Sequence, residues 1–411
     1  YLVIGGLFIE IVSNIGMGYD EIEKFYILGI PISDVVLLLM LLTFTVRFSS
    51  ILNSINFLLV LFILAIGIFA TLVGFLSSNN QLTSAMNEDI RIFLWFFGGI
   101  AFGYTLIETK NISFHLGLII IISTFIIVSS SLAISFIALA SDIIMDRVSH
   151  PNLYNAAGLF FTPLILYICI SNKSAKSHML ISSCIIVFIY FVAILAATRS
   201  MLLIGFLLIL CYFLLAKLNP NIIRLDKEKF KPFSNIFLYF VSSVLLITLL
   251  SLLFNADASV INRITTIFDI NILMSDPRIY ELRDYFNQLS IISIIFGEGF
   301  GGGVESTIYN GDLALTLHIG IMNYALKFGW FVFVIIIFFF FLLLPLLITN
   351  SYYRLMNNKY TKLTYIEFGC LLSLTPIILS LVISGGYSTS AFMMMGCSYY
   401  LYNNAEKVIL R

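Results

Sequence analysis

Long uninterrupted apolar runs constrain this chain more than any other feature. Residues 55–76 and 331–348 approach or exceed the ~20 apolar residues that cross a bilayer as a helix. Within a bilayer every backbone N–H and C=O must be satisfied internally, which leaves only helices and closed barrels. A barrel would read as alternating segments of ~10 residues, whereas the runs here are continuous. Charged residues make up 11% of the chain and hydrophobic ones 60%, against about 25% charged in soluble domains. The sequence therefore predicts an all-α, polytopic membrane protein in which residues 1–411 form a single membrane domain.

Twelve spans are expected, at about 2–16, 32–46, 55–76, 90–107, 114–138, 155–170, 179–197, 200–216, 235–254, 321–348, 363–383 and 388–402. The pair around Thr198-Arg199-Ser200 reads as one run long enough to cross twice, and the arginine marks the break. The chain begins at Tyr1 inside an apolar run, with neither an initiator Met nor a cleavable signal, so a few residues are expected to precede it. Cys169, Cys184, Cys211, Cys370 and Cys397 all fall within predicted spans and none has a CxxC partner. Neither a disulfide framework nor a metal site is expected.

Threading twelve spans makes the connectors alternate between two sides. One side collects fourteen of the 22 Lys and Arg residues, including Lys173, Lys176, Lys227, Lys229, Lys231 and Arg354, and only five of the 22 acidic ones. Short connectors rich in Lys and Arg stay cytoplasmic, so both termini are expected inside. Asn219–Pro232, with its three lysines, reads as a topology-setting loop or as a lipid-binding basic patch. No soluble domain, internal repeat or nucleic-acid-binding pattern is present.

One sizeable polar segment, residues 255–320, then falls outside. Within it, Ser275-Asp276-Pro277 is a helix start, with Asp as cap and Pro at the first helical position. Ile279, Leu282, Phe286, Leu289 and Ile292 follow at spacings of three and four, with Glu281, Asp284, Asn287 and Gln288 opposite. This predicts an amphipathic helix at the membrane–water boundary. Arg278 would lie in its first turn, where backbone N–H groups already favour an anion and a guanidinium fork could grip a diphosphate. The plainer alternative is a surface arginine paired with Asp276 or Glu281.

Three further features carry potential chemistry. Arg199 lies between apolar runs, and an arginine near membrane depth is costly unless it meets a partner or a wet cavity. It is either a site residue or a snorkelling arginine at a tight turn. The Gly297-Glu298-Gly299-Phe300-Gly301-Gly302-Gly303 turn superficially offers a GxGxxG, but lacks the strand and βαβ unit of a dinucleotide site. Gly297, Gly299 and Gly301 instead let backbone approach a ligand or another helix closely. His318 sits where the segment re-enters the bilayer, as a candidate base or a hydrogen-bonded interfacial histidine. No HExxH, P-loop, GxSxG or carboxylate pair points to hydrolysis, ATP use or metal catalysis.

The order Arg199, Arg278, the Gly-x-Gly-Phe-Gly turn at Gly297–Gly301, then His318 with Leu326-Lys327-Phe328-Gly329, resembles the O-antigen polymerase/O-antigen ligase superfamily. Arg278 lies nineteen residues before Gly297, as an arginine does in that family, and the resemblance covers about 198–329 together with the twelve-span topology. Ligases usually follow the histidine with asparagine; here Ile319 follows, which favours polymerase. The resemblance implies a glycosyltransferase of the bacterial inner membrane, working at its periplasmic face without cofactor or metal. It implies an undecaprenyl-diphosphate-linked glycan as donor and another as acceptor, with a chain-length regulator membrane protein as a further partner. His318, Arg278 and Arg199 would be catalytic, while Arg147, Arg283, Gly297, Gly299 and Gly301 would contact diphosphate or glycan. Arg91 and Arg263 are further arginines on that side. The competing readings are the ligase, which transfers finished polymer to lipid A–core, and a lipid-linked oligosaccharide flippase. A flippase is expected to have paired halves and broken helices near mid-membrane, and the sequence shows no evident halves.

Overall fold

The computed structural model describes residues 26–27, 30–77, 83–108, 117, 277–309, 311, 313–357, 362–374, 377 and 389–410. These are mostly helical. A two-residue antiparallel pair, β1 (Tyr26–Ile27) and β2 (Ile30–Pro31), precedes α1 (Ile32–Val46), α2 (Phe48–Leu52), α3 (Phe57–Ser77) and α4 (Thr83–Glu108). After the undescribed stretch come α5 (Pro277–Gln288), α6 (Ile291–Phe296), a second short pair, β3 (Val304–Glu305) and β4 (Leu313–Ala314), and α7 (Met322–Ile337). A π-helical segment, Phe338–Leu343, joins α7 to α8 (Leu344–Asn357), followed by α9 (Lys362–Leu372), α10 (Thr389–Asn403) and α11 (Ala405–Leu410). The π turn falls just before Pro345, whose missing N–H cannot continue the i→i−4 ladder.

Three helical stretches among the described residues are long and apolar enough to cross a membrane: Phe57–Leu76, Ser84–Glu108 and Met322–Ile348. Two of them keep large apolar side chains on the outside. Leu58, Phe75 and Leu76 on α3 and Phe331 on α7 are all more than 60% exposed, as lipid-facing positions should be. Helix α4 is different, with most of its apolar length buried.

The reason is the tight contact between α4 and α10. Gly99 and Gly103 on α4 lie against the backbone at Met393 and Cys397, and Gly396 on α10 lies against Phe96. Small residues allow this approach, which is how helices associate when no hydrophobic gain distinguishes protein from lipid. Trp95, Ile100 and Phe102 fill the surrounding core with Met393, Tyr400 and Leu401. Cys370 and Cys397 are both buried.

A smaller apolar cluster sits beneath the polar segment. Tyr285, Val304, Leu317, Met322, Leu326 and Phe333 form it, with Leu282, Leu289 and Trp330 packed on its edge. Helix α5 starts at Pro277 as expected, and two of its acidic side chains face the protein. Glu281, Asp284 and Tyr285 are the buried residues, while Phe286 is half exposed. Ile291, Ile292, Ile294, Ile295 and Phe296 form the separate helix α6 and are exposed.

The backbone at Glu305, Thr307 and His318 explains why these acids face inward. Its N–H and C=O groups lack regular ladder partners and must be met by side chains. Asp284 Oδ2 accepts from both the backbone N–H and the hydroxyl of Thr307, at 2.8 Å each. The Gln288 amide accepts from the Glu305 N–H at 2.9 Å and donates to the Glu305 carbonyl at 2.6 Å.

Candidate functional site

Positions 281, 284, 285 and 288 recur at i, i+3, i+4 and i+7 and so share one face of α5. The first of them meets His318. His318 Nδ1 lies 2.6 Å from Glu281 Oε1, and the His318 backbone N–H donates to Glu281 Oε2 at 2.9 Å. The carboxylate is 2% exposed and the imidazole 45% exposed, so a buried acid holds a reachable ring.

The preceding residue is fixed as firmly. Asn323, buried in the first turn of α7, accepts from the Leu317 N–H at 2.6 Å and donates to the Leu317 carbonyl at 2.9 Å. Two side chains from two helices thus clamp the Leu317–His318 backbone from either side. As a carboxylate, Glu281 is acceptor-only and already takes the backbone N–H on one oxygen. A proton on Nδ1 then faces its other oxygen, and Nε2 is the ring nitrogen that Glu281 does not engage.

Arg278 lies three residues before Glu281 and seven before Tyr285, which puts it on the same helix face and partly buried. Arg283 is exposed and lies about 200° around the helix from Glu281. Arg91 pairs with Asp34 at 3.3 Å and with Glu88 at 3.8 Å. Arg199, Arg147 and Arg263 lie outside the described residues.

Gly297, Gly299 and Gly301 all have positive φ and are buried against other helices. A Cβ on Gly297 would lie 2.6 Å from the Gly329 nitrogen, and one on Gly301 would lie 2.9 Å from Met86 Cβ. Gly299 meets the backbone at Ala70 and Gly74. Of the two uses foreseen for the turn, close approach to a helix is the one these contacts display. Phe300 seals it, donating its N–H to the Ala70 carbonyl at 2.9 Å and packing its ring against Phe93 and Phe328.

A buried ion pair pins the turn to the membrane helices. Lys327 Nζ lies 2.6 Å from Asp89 Oδ2, with Lys327 fully buried and Asp89 nearly so. The same carboxylate oxygen accepts from the Gly301 N–H at 2.7 Å, and the ammonium donates to the Gly302 carbonyl at 2.8 Å. Both charges therefore have opposite-sign and backbone partners, the condition for keeping them at this depth.

Glu281, Asn323, Asp89 and Lys327 were not singled out from sequence as site residues. Their signal was there: in a chain with 11% charged residues, an acid or lysine within or beside an apolar run needs a named partner.

A cleft of about 240 Å³ opens one turn along α5 from Glu281, between the helix and the β3–β4 pair. Tyr285, Gln288, Glu298, Val304, Glu305 and Leu313 contribute to its walls. Burial pushes the Tyr285 hydroxyl up to about 12, so it stays a protonated donor at physiological pH. Trp330 lies beside it, with the Tyr285 hydroxyl and the Trp330 indole N–H both buried.

Among the described residues, no three His, Cys, Asp or Glu side chains converge as a metal site would require. No family model, curated protein or solved structure matches the chain.

Proposed function

We propose that this chain is a glycosyltransferase that polymerises undecaprenyl-diphosphate-linked oligosaccharide units at the periplasmic face of a bacterial inner membrane. In this reading it spans the bilayer twelve times with both termini inside, and residues 255–320 form the periplasmic loop. The observation that carries it is the His318–Glu281 pair, a buried carboxylate bonded to the ring and the backbone of one half-exposed histidine.

That pair is suited to general-base chemistry. Nε2 of His318 takes the proton from a sugar hydroxyl of the incoming lipid-linked unit as that oxygen attacks the anomeric carbon of the growing chain. The new glycosidic C–O bond forms while the bond from the anomeric carbon to the diphosphate oxygen breaks. The electron pair leaves with the lipid diphosphate. Glu281 stabilises the resulting imidazolium and keeps the ring in its productive tautomer. Negative charge develops on the departing diphosphate, where Arg278, and Arg199 from the other part of the chain, are assigned to meet it. The resemblance built on Arg199, Arg278, the glycine turn and His318 supplies the substrate class.

Electrophoresis of lipopolysaccharide from a deletion strain tests the reading. Loss of a polymerase leaves core carrying one repeat unit, and that is the expected pattern. Bare core would identify a ligase, and an unchanged ladder would exclude both.

A further inference from the structure

We propose that α6, Ile291–Phe296, is a lipid anchor: its outer face is seated among the acyl chains of the adjoining leaflet and ties the polar segment to the membrane. The proposal rests on α3 and α7 crossing a bilayer and makes no use of the glycosyltransferase reading.

The polarity of the helix comes first. Ile291, Ile292, Ile294, Ile295 and Phe296 are each at least 40% exposed, whereas the one polar residue among them, Ser293, is buried. Ser293 turns inward to the capping residue. Ser290 Oγ accepts from the Ser293 N–H at 3.0 Å and shares a hydrogen bond with its hydroxyl at 2.6 Å. A helix at a water-facing surface turns its apolar side chains towards the core and its polar ones outward. The reverse order belongs to helices surrounded by hydrocarbon, where polar groups face the protein interior.

Position agrees. The Phe296 ring packs against Phe69 on α3, with centroids 5.2 Å apart, and the Ile295 carbonyl lies against Gly329 on α7. Phe69 is seven residues from the end of the apolar stretch Phe57–Leu76, and Gly329 is seven from the start of Met322–Ile348. At 1.5 Å per residue that is about 10 Å along each helix. Two separate helices therefore set α6 at the same level, inside the ends of their apolar stretches.

The surrounding surface says what covers it. Ile68 and Leu72 on α3, to either side of Phe69, are more than half exposed, as is Phe331 on α7, two residues from Gly329. The outer face of α6 continues this apolar surface. A short apolar helix at such a level is held by burying its side chains among acyl chains. Gly297 follows directly and is buried against α7, so the anchor leads straight into the glycine turn.

Site-directed spin labelling of the full chain in liposomes tests this. Ile292→Cys and Ile295→Cys carry the label, each in a background with the five native cysteines replaced. Glu305→Cys on β3 and Leu72→Cys on α3, both at exposed positions, are the references. Oxygen concentrates in acyl chains, and a nickel chelate stays in water. The ratio of their collision rates should be severalfold higher at 292 and 295 than at 305. A ratio like that at 305 would put α6 in water, and low collision with both reagents would put it under another part of the chain or a second copy. Either result overturns the anchor. A lipid signal at 72 with none at 292 and 295 would discard the anchor and keep the span. A second measurement leaves the cysteines in place. Ile292→Trp, at a position 67% exposed, should be quenched by lipids brominated along the acyl chain beyond the quenching of Trp95 and Trp330 in the wild type. No excess quenching would overturn the proposal even if the cysteine-free chain does not fold.

Discussion

Glu281 and His318 are joined twice, once through the imidazole and once through the histidine's own backbone N–H. A single carboxylate thereby fixes both where the ring sits and which nitrogen carries its proton. This pairing spans 37 residues of sequence and ties the middle of the polar segment to the point where it meets α7.

Glu281→Gln tests the pairing without removing bulk. The amide still offers an oxygen to the backbone but turns an N–H₂ towards the ring, favouring the wrong tautomer. Chain extension should fall on the order of 10²–10⁴-fold, the usual worth of a positioned acid–base group, with membrane expression intact. Glu281→Asp, which keeps the charge, should recover part of the rate. Turnover of a lipid-linked repeat unit by purified variants measures both.

Asn323→Leu should destabilise the histidine's neighbour. The change strips partners from the buried Leu317 N–H and C=O, at about 1–3 kcal/mol for each unmet group. Thermal unfolding in detergent should show the loss. Asn323→Asp retains the acceptor and should lose less.

The buried pair between Lys327 and Asp89 should behave non-additively. Lys327→Met leaves an uncompensated carboxylate among membrane helices, a loss of about 3–5 kcal/mol. Asp89→Asn leaves the ammonium with the Gly302 carbonyl but no counter-charge. The double variant Asp89→Asn/Lys327→Met should be less destabilised than the sum of the singles, since it buries no lone charge and can still accept from Gly301. Unfolding midpoints of the three variants decide it. Strict additivity would mean that the pair is not coupled.

Gly329→Ala should disturb the site from a distance. Gly329 interrupts helical geometry within α7 at φ 83°, and a methyl group there would run into the Ile295 carbonyl. Backbone strain of this kind costs about 1–3 kcal/mol. It would also push the Gly297 turn off α7, so reduced chain extension should accompany the lower unfolding temperature.

Much of the helical scaffold was legible in the sequence. The apolar runs 32–46, 55–76, 321–348 and 388–402 correspond closely to α1, α3, the stretch from α7 into α8, and α10, because continuous apolar length has few other uses. Pro277 opens α5 for the expected reason. Helix α4 begins at Thr83 instead of 90, since Glu88 and Asp89 do not end a helix but give it a polar N-terminal part. The inward acids of α5 were not legible because periodicity reports amphipathicity, not which side meets protein. Glu281 and Asp284 point inward to serve backbone groups whose need becomes visible only once the chain is folded. His318, Arg278 and the glycine turn stood out on residue type alone, whereas Glu281, Asn323, Asp89 and Lys327 depend on partners six to 238 residues away.

The most direct test is whether purified protein elongates a synthetic undecaprenyl-diphosphate-linked repeat unit, and whether His318→Ala still does so. The account predicts a ladder of products from the wild type and unextended substrate from the variant, at equal amounts of folded protein. A ladder of normal length from His318→Ala would contradict it.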